Sequence, residues 1–137
     1  MKTCLVGCGG IAAVHGSVLT SDIDTEFVAA ADIKPEKAQT YAENFHTKPY
    51  PSLESMLEAE KPDVLHICTP HYLHVPMAIY SLERNINVFM EKPPAISFDQ
   101  LEELKKAAAK SDAQLGFCYQ NRYNASIRAA KDLIDSG

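Results

Sequence analysis

The first residues able to do chemistry are small ones, in Val6-Gly7-Cys8-Gly9-Gly10-Ile11-Ala12, which joins an apolar run to a helical pattern. The spacing Gly7-x-Gly9-x-x-Ala12 is that of a dinucleotide-binding turn, and each small residue has its own task. Gly7 allows the tight turn, Gly9 lets the backbone approach a pyrophosphate, and Ala12 lets helix and strand pack closely. The free N–H groups that open the helix, at Gly10 and Ile11, would face the anion from the positive end of the helix dipole. Asp32 lies about 20 residues beyond Ala12, the separation of a carboxylate that accepts ribose hydroxyls. No arginine stands immediately beside it, so the expected cofactor is NAD rather than NADP: the carboxylate would meet a 2′-phosphate as a like charge, which Lys34 only partly offsets.

A second set of residue types points elsewhere. His66, Cys68, His71 and His74 have a spacing that superficially resembles a metal site. Strand alternation puts His66 and Cys68 on one face, pointing into a helix-covered layer, while His71 and His74 lie beyond Pro70. The expectation is therefore ordinary core and cleft residues and no metal. His15, early in the first helix, reads as a packing residue. Cys4, Cys8, Cys68 and Cys118 sit in or beside apolar runs and never form a C-x-x-C pair, which suits buried free thiols in a reducing cytoplasm.

The elements that must position these groups follow from apolar periodicity. Lys2 to Val6 reads as a buried strand, followed by a helix with Ile11, Val14, His15, Val18 and Leu19 at helical spacing. Glu26 to Ala31 is a second strand, and Pro35 opens a helix with Ala38, Tyr41, Ala42 and Phe45 on one stripe. Thr47 to Tyr50 is a short edge strand, because Pro49 is tolerable only where its missing N–H is not needed. Ser52 caps a short helix through Glu58. Val64 to Cys68 is a central strand, Tyr72 to Leu82 a helix, and Val88 to Met90 a short strand ending at Glu91-Lys92-Pro93-Pro94. Ser97 caps the next helix, whose acids lie early and lysines late, as the helix dipole favours. Gln114 to Cys118 form a last strand, Tyr119 to Tyr123 a polar loop, and Ile127 to Ile134 a final helix.

Six short apolar strands alternating with helices predict an α/β fold: one doubly wound parallel sheet of order 3-2-1-4-5-6, covered on both faces. In such a Rossmann sheet the segments after each strand line the ligand crevice. The glycine turn, Asp32, Thr69 to His74, Glu91 to Pro94 and Gln120 to Tyr123 therefore converge. Through Gly7-Cys8-Gly9-Gly10-Ile11-Ala12, Ala31-Asp32, Cys68-Thr69-Pro70-His71-Tyr72-Leu73-His74, Glu91-Lys92-Pro93 and Asn121-Arg122-Tyr123, the chain resembles the Gfo/Idh/MocA oxidoreductases. These pair an N-terminal Rossmann domain with a C-terminal substrate-binding domain.

The resemblance implies that Lys92 lies beside the nicotinamide and the reacting carbon, as the catalytic residue. It implies that Thr69, Pro70, His71, His74 and Glu91 join the glycine turn and Asp32 around the cofactor, with Arg122 and Tyr123 toward the substrate. Pro94 departs from the apolar residue usual after the motif. Residues 1–120 are expected to form the dinucleotide-binding domain, and 121–137 a loop and helix leading to a substrate domain absent from this chain, so that the chain alone is expected to be inactive. The substrate class implied is a polyol, sugar or related hydroxyl compound. The alternative is a non-catalytic nucleotide-binding sensor or regulatory module.

The bulk properties agree with a single domain. At 137 residues the chain can bury a sizeable core without disulfide or metal. Its net charge of −5 argues against nucleic acid or anionic membrane as a general partner. Met1 leads straight into the first core strand, so no signal peptide is expected, and no apolar run approaches membrane-spanning length. A homo-oligomer is the remaining partner expected.

Overall fold

The computed structural model describes residues 1–137. Its strands are β1 (Lys2–Val6), β2 (Glu26–Ala31), β3 (Lys48–Tyr50), β4 (Val64–Ile67), β5 (Asn87–Glu91) and β6 (Leu115–Cys118). Its helices are α1 (Gly10–Ser21), α2 (Pro35–Phe45), α3 (Leu53–Glu60), α4 (His74–Leu82), α5 (Phe98–Ala108) and α6 (Ala125–Ser136), with short 3₁₀ turns at His71–Leu73 and Gln120–Tyr123. All strand pairs are parallel, and the sheet order is β3-β2-β1-β4-β5-β6. The doubly wound order read from the sequence is the one observed. It reverses between β1 and β4, where Val6 is level with both Ala31 and Ile67.

Strand alternation divides the core into two layers. Cys4, Val6, Leu65, Ile67, Val88 and Met90 point to one face and pack with Val75, Ala78, Leu82 and Leu104 of α4 and α5. Leu5, Ala30 and Cys68 point to the other, against Ala12 and Tyr41. Ser52 and Ser97 act as predicted, each accepting the N–H three residues on at 3.2 Å.

The inward face of α1 differs from the periodicity reading. Ala12, His15, Gly16 and Leu19 are buried, while Val14 and Val18 are about 60% exposed. The small residues win because close approach matters more than side-chain size here. A Cβ on Gly16 would stand 2.5 Å from the Tyr41 hydroxyl and 2.7 Å from the Phe45 ring, so only glycine lets α2 seat against α1. The final helix also differs in its packing: α6 forms, but every one of its residues is exposed.

At the far edge of the sheet, the Glu60 carboxylate ends α3 buried among three donors. Lys48 Nζ stands 2.9 Å from it, the Tyr50 hydroxyl 2.6 Å and Lys2 Nζ 3.1 Å. The Tyr50 hydrogen bond, then that of Lys48, holds the Glu60 carboxyl down at about 2 against an ordinary 4.5. A carboxyl held low stabilises the fold above its ordinary range, and that contribution fades as the pH falls toward its folded value. Glu60→Gln is expected to cost about 2 kcal/mol at pH 7, with a smaller difference from the unsubstituted chain at pH 3. Urea unfolding at both pH values measures this, and an equal cost at both would show that charge is not the cause.

Candidate functional site

The glycine turn begins where β1 stops. Gly7 has φ +92° and donates its N–H to the Ala31 carbonyl at 2.8 Å, so the turn is tied to the end of β2. A Cβ on Gly7 would lie 2.7 Å from the Cys68 carbonyl carbon and the Thr69 nitrogen, so backbone from β4 closes its other side. Gly9 and Gly10 are the reverse: a Cβ on either meets nothing within 4 Å. Both line a cleft of about 480 Å³ with Ile11, Asp32, Thr69 and Pro70. Glycines at an open helix start leave room for backbone N–H groups to reach an anion, so the turn fits a pyrophosphate. Ala12 is fully buried against Leu5 and Ala30, which serves helix–strand packing rather than ligand contact.

Asp32 stands across this cleft from the helix start. Its Oδ2 accepts the Cys8 N–H and its Oδ1 the Lys34 N–H, each at 2.9 Å. The carboxylate therefore braces the turn while each oxygen keeps a lone pair for a ribose hydroxyl. Lys34 and Lys37 also line the cleft. Burial, reinforced by the Asp32 charge, pushes the Cys8 thiol up to about 12, which keeps it protonated near pH 7.

The segment after β4 divides. Thr69 and Pro70 line the cleft, joined by Tyr72, Leu73 and Met77, whereas His71 is exposed and lies outside it. His74, read as a cofactor contact, is fully buried. Its Nδ1 is 2.8 Å from the Pro93 carbonyl and its Nε2 2.9 Å from that of Thr69, so the imidazole bridges the two loops from behind. The ring thus lies behind the cleft wall, between the loops that carry Thr69 and Pro93.

After β5 the neighbours part in the same way. Glu91 is buried, with Oε1 3.1 Å from His15 Nε2. Lys92 is half exposed, its Nζ 3.7 Å from Glu91 Oε2, and the Lys92–Pro93 peptide is cis. Lys92 shares a groove of about 410 Å³ with Tyr119, Gln120, Asn121 and Arg122. Tyr123 does not line it; its ring lies 5.5 Å from the Arg128 guanidinium on the surface.

The four residues weighed for a metal do not gather at one point: His66 faces His15, Cys68 packs under α1, and His71 lies beside His74 with ring centroids 5.5 Å apart. The groups that do converge are His15, Glu91 and Cys118, whose ligating atoms lie within 4.8 Å of one another. Sequence reading gave no sign of this cluster, since residues 76 apart meet only through sheet order. His15 is thus not merely a packing residue. No helix is long and apolar enough to cross a membrane, and the four cysteines are free.

Comparison with known proteins agrees with this geometry. Residues 1–119 match the family model described as an oxidoreductase family with an NAD-binding Rossmann fold, Gfo/Idh/MocA. The D-glucoside 3-dehydrogenase of Escherichia coli is 29% identical over 139 residues, covering 100% of this chain and 40% of that protein. The inositol 2-dehydrogenase/D-chiro-inositol 3-dehydrogenase of Lacticaseibacillus casei is 28% identical, with 41% of its length covered. Among solved structures, the WlbA dehydrogenase of Bordetella pertussis, in complex with NADH and UDP-GlcNAcA, superposes with a TM-score of 0.94 at 31% identity, over 99% of this chain and 42% of that one. The chain thus spans about 40% of the length of these relatives.

Proposed function

We propose, from the premise that the chain belongs to the Gfo/Idh/MocA oxidoreductase family, that it is the NAD-binding part of an enzyme that moves a hydride between a nicotinamide and a polyol, sugar or related hydroxyl compound. The observation that carries the reading is the open helix start at Gly9 and Gly10 facing Asp32 across one cleft, with Lys92 at the end of the same sheet edge. When bound, the nicotinamide accepts or supplies the hydride. The N–H groups of Gly10 and Ile11 would hold the pyrophosphate, and Asp32 the ribose. Lys92 would hydrogen-bond the substrate oxygen, steadying its charge as hydride leaves or arrives. Arg122, in the groove with Lys92, would orient the substrate, and Tyr123 would lie farther out.

Residues 121–137 would lead into a substrate-binding domain, which the full exposure of α6 supports. The four free cysteines, Cys4 and Cys68 buried and Cys8 and Cys118 half-buried, support a reducing cytoplasm, and the acidic charge supports a small-molecule partner rather than nucleic acid. Exposed Val14 and Val18 leave room for association with a second copy.

Calorimetric titration of the chain tests the cofactor. NAD is expected to bind about tenfold more tightly than NADP, or about 1.4 kcal/mol. The gap is modest because Lys34 and Lys37 share the cleft with Asp32. Tighter binding of NADP would overturn the ribose assignment, and no binding of either dinucleotide would overturn the reading as a whole.

A further inference from the structure

The carboxylate of Glu91 is the last side chain of β5 on the α1 face of the sheet, and it is buried. A buried carboxylate is costly unless its lone pairs are met, and here the two oxygens are met by different partners. Oε1 accepts from His15 Nε2–H at 3.1 Å; Oε2 accepts the Lys92 N–H at 3.3 Å and lies 3.7 Å from Lys92 Nζ. Whatever turns the carboxylate therefore moves the point to which Lys92 is tied.

His15 is itself fixed on its other side. Its Nδ1 lies 2.9 Å from His66 Nδ1, and a contact between two ring nitrogens holds only if one carries hydrogen and the other a lone pair. The rings also pack against Phe89, at centroid distances of 6.0 Å for His15 and 5.1 Å for His66. Phe89 lies over Gly116, where a Cβ would come within 3.2 Å of the ring. Burial, then the neighbouring His15, holds the His66 ring low, at about 4, so His66 is neutral near pH 7. Nε2–H of His15 donates to Glu91 in either form of the ring, and the Nδ1–Nδ1 contact takes one hydrogen, from one ring to the lone pair of the other.

We propose that His15 is a positioning residue for Lys92: its Nε2–H holds Glu91 so that the other carboxylate oxygen fixes the lysine, and His66 sets the His15 ring. His15 belongs to the helix whose first N–H groups face the pyrophosphate site, so the phosphate cradle and the lysine are parts of one rigid unit. The inference rests on the reading of Lys92 as the group that meets the substrate oxygen.

Two measurements test it. Long-range 1H–15N spectra of the imidazoles in this chain should show hydrogen on His15 Nε2 and a single hydrogen across the Nδ1–Nδ1 contact; a His15 ring without hydrogen on Nε2 overturns the geometry whatever the chemistry of Lys92. In the full-length gene product, His15→Phe should lower kcat about tenfold to 100-fold with NAD affinity within about twofold. His15→Gln, whose amide N–H reaches where Nε2 does, should recover most of that loss. Equal kcat for His15→Phe and the unsubstituted enzyme overturns the proposal, as does a His15→Gln variant no better than His15→Phe. Should His15→Phe fail to fold, His15→Gln against His15→Ala gives the same decision. Lys92→Ala separates the two levels: if it keeps full kcat, the reading of Lys92 fails, whereas if it loses kcat and the His15 variants do not, only the positioning role fails.

Discussion

Lys92→Ala is expected to lower kcat about 100-fold to 1,000-fold in the full-length gene product, the range for removing one donor to a developing charge. Thermal stability and NAD affinity should stay nearly unchanged. Lys92 is half exposed and makes one long ion-pair contact, to Glu91 at 3.7 Å, so little of the fold depends on it. The cleft with the glycine turn and Asp32 does not include Lys92, which keeps dinucleotide affinity largely separate from it. Steady-state kinetics with thermal unfolding and a calorimetric NAD titration check all three quantities. A variant with near-unchanged kcat would remove Lys92 from the mechanism and leave a dinucleotide-binding domain of undetermined chemistry.

The adjacent glycines should fail in opposite ways. Gly7→Ala is expected to destabilise the fold by about 3–5 kcal/mol, combining left-handed strain with a clash against backbone. Its Cβ would lie 2.7–2.8 Å from main-chain atoms of Cys68 and Thr69, which belong to the strand end that forms the switch point and cannot rotate away. Gly9→Ala has nothing within 4 Å and an ordinary φ of −89°, so it should fold normally. The methyl would instead occupy space a pyrophosphate needs, and NAD affinity should fall by about tenfold or more. Thermal melts and NAD titration of the two variants separate these effects. A stable Gly7→Ala chain would mean that the turn can open away from β4, and unchanged NAD affinity in Gly9→Ala would place the pyrophosphate elsewhere.

Much of this molecule can be read from local pattern because local physics decides it. Apolar runs bounded by turn residues gave five of the six strands, Pro49 placed β3 at an edge, the alternation with helices gave a parallel sheet, and the serines at 52 and 97 cap helices through bonds spanning three residues. The glycine turn and Asp32 were legible for the same reason: a tight turn needs Gly7, and a fixed strand–helix–strand length sets where the next acid falls. Even the convergence of Thr69, Lys92 and Arg122 on one edge follows from parallel topology, which puts every strand's end on the same side.

Only the tertiary structure decided which way the polar side chains point. Glu91 and Lys92 are adjacent, yet alternation at the end of β5 sends one inward to His15 and leaves the other in the groove. His71 and His74 are separated by less than one helical turn, and packing against the Pro93 loop buries the second while the first stays exposed. On α1, periodicity favoured the large residues, but the approach of Tyr41 and Phe45 to Gly16 turned Val14 and Val18 outward. In each case the deciding contact joins residues 19 or more positions apart. A sequence specifies the types and spacing of its groups, whereas the orientation of a buried polar group is set by which distant partner satisfies its hydrogen bonds.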